Sequence, residues 1–126
     1  MVHVRIDGSA AGRAAAKIEQ AVAQLPAKAS AVVRGHALQM EAEAKTNIVS
    51  MGAVDTGNML GSTGIIEQSA LSATVAVGAE YGPHVEYGTV HDTYSIAPRP
   101  FWRRAKETVT PAFRAAAETL LRDLVR

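Results

Sequence analysis

The sequence contains no cysteine. That excludes a disulfide framework, a thiolate metal site and a cysteine nucleophile. An excess of one charge is missing too: 13 basic against 12 acidic side chains leave a net charge of +1. Proteins dedicated to nucleic acid carry a strong basic excess, so a DNA-binding regulator built on the last helix is disfavoured. No apolar run is long enough for a transmembrane helix, and no membrane partner is expected. Residues 1–7 lack the long apolar centre of a signal peptide, so synthesis in a cytoplasm is expected. Aromatics are scarce, with 2 Phe, 1 Trp and 3 Tyr. The hydrophobic fraction is 48%, but Ala supplies 24 of those residues, and each buries little area. At about 25 cal/mol per Å² the core of one small domain is modest, and contact with copies or partners is expected to add to it.

What is present reads as a single domain over residues 1–126. Val2, Val4 and Ile6 alternate with His3, Arg5 and Asp7, the pattern of a short strand. Residues 10–24 are Ala-rich and predict a helix. Pro26 disfavours a helical Leu25, so a second helix is expected from residue 27 to about 49. In it Val33, Ala37, Met40, Ala44 and Ile48 fall on one stripe. Gly35 costs that helix about 1 kcal/mol relative to Ala. Residues 50–57 read as a turn. Residues 61–68 and 72–78 read as a hairpin around Ser69, Ala70 and Leu71. Residues 80–100 read as irregular, with a short strand at 93–97. From Phe101 a stripe of Phe101, Ala105, Val109, Ala112, Ala116 and Leu120 predicts a last helix, kinked or broken at Pro111. The order predicts an α+β fold, a small, mostly antiparallel sheet packed against long N-terminal and C-terminal helices.

Candidates for chemistry are few. His84, Glu86, His91 and Asp92 include common metal-ligand types, but their spacing matches no metal motif, and loop polar residues are the favoured reading. Asp55-Thr56-Gly57 has the composition of an aspartic-protease triplet, yet it lies in a turn signal without apolar flanks. No glycine-rich phosphate loop occurs, and nothing around Ser62 or Ser95 marks a nucleophile elbow. No catalytic residue, metal or cofactor is expected. The rival from another class is a small metal-dependent hydrolase using His84, Glu86 and His91.

Contact chemistry is more concentrated. Tyr81, Tyr87, Tyr94, Phe101 and Trp102 are five of the six aromatics, and Arg99, Arg103, Arg104 and Lys106 lie beside them. Tyr, Trp and Arg together make interface hot spots, and they also staple loops to cores. The basic cluster falls at a helix start, where the dipole favours acids. It therefore faces either solvent and nearby acids such as Glu107, or else phosphate or an acidic partner surface. Phe101 lies on the apolar stripe, and Trp102 one position off it. The candidate interface is Tyr81, His84, Glu86, Tyr87, Tyr94, Arg99, Trp102 and Arg103.

Three segments occur in series: Val54-Asp55-Thr56-Gly57-Asn58-Met59-Leu60-Gly61-Ser62, Tyr81-Gly82-Pro83-His84-Val85-Glu86-Tyr87-Gly88-Thr89, and Ala97-Pro98-Arg99-Pro100-Phe101-Trp102. In this order, between two helices, they resemble the tail-component family of tailed bacteriophages and prophages, whose members are head–tail joining, neck or tail-completion proteins. The resemblance covers about residues 27–125. Leu60 stands one place later than the family's apolar residue, with Met59 in that role, and Pro98 is inserted before Arg99. The resemblance implies a virion protein without enzymatic activity, made in the bacterial host and placed at the head–tail junction. Its implied partners are copies of itself in a closed ring (a hexamer), the neighbouring neck, tail-tube or terminator proteins, and channel DNA without sequence preference. A minor tail or tail-terminator protein is the alternative within that class. The motif residues look structural: Asp55, Thr56, Gly57 and Gly88 as turns, Gly57 and Gly88 with positive φ, and Glu86 as a cap or a partner of Arg99 or Arg103.

Overall fold

The computed structural model describes residues 2–52 and 56–124. Helix α1 (Ser9–Ser50) is followed by a short α2 (Thr56–Ser62), a hairpin of β1 (Thr63–Gln68) and β2 (Ala73–Val77), and α3 (Gly82–Tyr87). A second, minimal hairpin of β3 (Thr89–Val90) and β4 (Ser95–Ile96) leads into α4 (Phe101–Leu124). The fold is α+β, with long N- and C-terminal helices beside small antiparallel sheets.

The expected stripes form the core. Ala37, Met40, Ala44 and Ile48 are the buried residues of α1, and Phe101, Ala105 and Val109 are those of α4. Ala44 and Ala105 are both fully buried, so the two helices approach closely where neither carries a long side chain. Asn47 Nδ2 donates to the Phe101 carbonyl at 3.0 Å, and His36 meets Phe113 edge-on at 5.5 Å. One number falls as the other rises, so the helices run antiparallel. Two linked clusters result: Ile48, Met59, Ala79, Val85 and Phe101 at one end, and Met40, Ala44, Ala105 and Val109 beside them. Half-buried Trp102 packs against both.

The β1–β2 hairpin forms at the expected turn, closed by Ser69 N–H donating to the Ser72 carbonyl at 2.8 Å. Its register pairs Thr63 with Val77 and Ile65 with Val75, then slips at Ile66. Val75 and Val77 face the helical core.

Several expectations fail. Residues 2–7 form no strand, and among the described residues no strand pairs with them. The helix does not break at Pro26, which sits inside α1. One missing N–H removes one ladder bond, whereas a break would leave up to four carbonyls and four N–H groups without helical partners and require a second nucleation. For the same reason α4 is not broken at Pro111, which removes the second of the two outcomes expected there. Finally, residues 80–100 are not irregular throughout: Pro83 stands in the first turn of α3, where its missing N–H has no helical acceptor.

Opposite Phe113 of α4 stands His36 of α1, so Leu124 lies level with about residue 25. The first part of α1, residues 9–24, therefore projects roughly 24 Å beyond α4. Nearly all of it is exposed, including Ile18 and Val22.

Candidate functional site

The three motifs meet at one end of the α1–α4 pair. Met59 comes from the first, Val85 from the second and Phe101 from the third, and all three are buried in one cluster with Ile48. Met59 is fully buried, and Leu60 is half-buried against the same cluster.

Glu86 ties the second motif to the third. Its carboxylate accepts the Trp102 N–H at 2.8 Å and the Arg103 N–H at 2.9 Å. These N–H groups lie in the first turn of α4, which has no acidic residue of its own and no helical acceptors for them. A carboxylate there satisfies two donors and opposes the positive end of the helix dipole. Glu86 is only 8% exposed. It caps the helix rather than pairing with the Arg99 or Arg103 side chain.

Neighbouring bonds complete this latch. Arg99 N–H donates to the Val85 carbonyl at 2.7 Å, and Arg99 Nη1 donates to the Gly52 carbonyl at 2.8 Å. Gly88 has φ +73, and a Cβ there would stand 2.5 Å from the Ile96 carbonyl oxygen and 2.9 Å from Pro98 N. Only glycine fits that turn. Tyr81 is half-buried against the core, and its hydroxyl accepts from Asn58 Nδ2 at 3.1 Å.

Gly57 does not serve a positive φ. It lies inside α2, where right-handed helical backbone suits any residue, and positive φ occurs instead at Gly52 and Gly88. Asp55 lies outside the described residues, and so does the side chain of Thr56.

The remaining candidates point outward. Tyr87 is 80% and Tyr94 57% exposed, and His84 and Arg103 are exposed as well. The His91 ring stacks on Tyr94 with centroids 4.3 Å apart. Arg103 Nε stands 3.6 Å from Glu107 Oε1. The structure does not gather His84, Glu86 and His91 into a ligand set. Both Glu86 oxygens are engaged, and among the described residues no three metal-ligating side chains stand together.

Sequence reasoning missed a groove. It runs between β2 and α4 over α1, with a volume of about 540 Å³. Val33, Met40, Leu71, Val75, Trp102 and Phe113 line it. The one signal in the sequence was Leu71, an apolar residue in a turn and 63% exposed.

Compared with known proteins, the chain matches no family model, no curated protein and no solved structure.

Proposed function

We propose that this chain is a structural virion protein of a tailed bacteriophage, a neck or tail-completion protein that joins the connector to the tail tube. It acts by binding and turns over no substrate. Copies form or complete a ring around the DNA channel, sixfold as the motif resemblance implies. One observation carries the reading: the three motifs that resemble the tail-component family converge on one cluster through Met59, Val85 and Phe101. Their polar residues are spent on the fold, with Glu86 capping α4 and Arg99 holding Gly52. What the motifs and the residues beside them leave to solvent is contact chemistry: Tyr87 and His84 within them, Tyr94 and Arg103 next to them. The experiment is to image intact virus particles from the cell that encodes the chain, with the subunit located by a specific antibody. The expected result is a ring of label at the head–tail junction. Particles that lack the chain, or stoichiometric zinc or iron in the purified protein, would overturn the proposal.

A further inference from the structure

The alternation in residues 2–7 finds no use within its own chain. Val2, Val4 and Ile6 have the spacing of a half-buried strand, yet they are 91%, 85% and 92% exposed. The groove, in turn, has room for a strand. Ala73, Thr74 and Val75 of β2 all line it. Side chains of a strand alternate between faces, so three consecutive residues mean that β2 borders the groove with its edge. Among the described residues β2 pairs only with β1, which leaves that edge's backbone groups without ladder partners. Beside the edge lies an apolar surface of Val33 and Met40 from α1 and Trp102, Val109 and Phe113 from α4. A two-stranded hairpin is marginal, and a third strand completes it.

The chain's own segment cannot reach this edge. The groove residue of α1 nearest its start is Val33, roughly 36 Å along the helix from Ser9. Residues 2–8, even fully extended, span at most about 25 Å. Only another copy can bring these residues there.

We propose that residues 2–7 of one copy add as a strand to the open edge of β2 in a second copy, seating Val2, Val4 and Ile6 in the groove. Main-chain bonds give such an added strand its affinity, and the alternate side chains give it specificity. His3, Arg5 and Asp7 then face away from the groove floor. Donor and acceptor are different surfaces, so donation passed on from copy to copy is a head-to-tail contact, which closes into a ring where the rotation between copies closes. The inference deepens the ring-forming reading and rests on it for closure.

The absence of native cysteine and the presence of one tryptophan make the test direct. Val4→Cys and Thr110→Cys full-length chains are mixed and mildly oxidised; Thr110 is an exposed groove residue on α4. A cross-linked pair of the two variants is expected, well above the yield from an Ile18→Cys and Thr110→Cys mixture. Light scattering against concentration then compares the unaltered chain with a Val4→Asp, Ile6→Asp variant. Both positions are exposed in the single chain, so folding is preserved while association weakens at least tenfold. Trp102 emission moves to shorter wavelength as the unaltered chain associates. Equal cross-linking in both mixtures, or equal association with and without the two Asp residues, overturns strand donation. In the second case the copies assemble through another surface and the ring reading survives. Particles that lack the chain would sink the ring reading while leaving a positive cross-link intact.

Discussion

Glu86→Gln isolates the latch, because it keeps the shape of the side chain and removes its charge. Glu86 accepts two N–H groups from the first turn of α4, at 2.8 and 2.9 Å. Gln offers one carbonyl oxygen, so one N–H keeps a partner and the other meets an NH2 group. Hydrogen bonds to charged groups contribute roughly 1.5–3 kcal/mol, and neutral ones about 1 kcal/mol. The lost charge also removes about 0.3–1 kcal/mol of interaction with the helix dipole. The start of α4 is partly open to water, which replaces some of the loss, so the expected cost is about 2 kcal/mol. Glu86→Ala loses both bonds and should cost about 3 kcal/mol. In a domain of 126 residues, 1 kcal/mol moves the melting midpoint by roughly 4 °C, so Glu86→Gln should melt roughly 8 °C lower. Thermal melts by circular dichroism, with urea titrations alongside, measure this. The control is Glu107→Gln: its partner Arg103 is 3.6 Å away and the two side chains are 66% and 68% exposed, so the change should stay below about 0.5 kcal/mol. A Glu86→Gln midpoint within a degree of the unaltered chain, or an equal loss in Glu107→Gln, would refute the capping argument.

Further outcomes test the rest of the fold. Gly88→Ala places a methyl group 2.5 Å from the Ile96 carbonyl at φ +73, and urea midpoints should show a loss of about 2–3 kcal/mol. Gly57→Ala, in a helix with open space around the added carbon, should be neutral or slightly stabilising by the same measurement. Gly35→Ala, also in open space and in the middle of α1, should raise stability by about 0.5–1 kcal/mol; any loss would mean that a close neighbour needs that glycine. The backbone N–H of Ser9, then its side chain, hold the Asp7 carboxyl below its ordinary value of 3.8. Its contribution to the start of α1 is therefore present above pH 3.8 and is lost as pH falls through the lower folded value. An NMR titration of Asp7 with a midpoint at or above 3.8 would contradict this.

Periodicity carried the fold as far as burial is regular. The stripes of α1 and α4 and the β1–β2 hairpin are legible because apolar spacing reports directly which face meets the core. Pro26 misleads because a local breaker signal takes no account of the ladder bonds on either side of it. Residues 2–7 mislead because alternation declares a strand but cannot supply the edge it pairs with. For Glu86 the sequence leaves two roles open, a cap or a partner of Arg99 or Arg103, since Glu86 and Trp102 stand 16 positions apart in the chain. Yet a helix start with Arg103, Arg104 and Lys106 and no acid is an unmet electrostatic demand, and a nearby carboxylate is what answers it.

That answer also divides the aromatic and basic cluster, whose composition suits an interface and a loop staple equally. Phe101, Tyr81 and Trp102 pack into the core, and Arg99 spends its guanidinium on the Gly52 carbonyl. Tyr87, Tyr94, His84 and Arg103 remain exposed to solvent. The two groups must therefore respond differently to substitution. Tyr87→Ala removes a side chain that is 80% exposed, so it should leave the melting midpoint within about 0.5 kcal/mol of the unaltered chain. Any loss of particle incorporation in that variant is then a loss of contact rather than of fold. Arg99→Ala, which removes the bond to Gly52, should lower stability by about 1 kcal/mol whether or not a partner is present. If instead Tyr87→Ala destabilises the isolated chain and Arg99→Ala does not, the division between latch and contact surface is drawn in the wrong place.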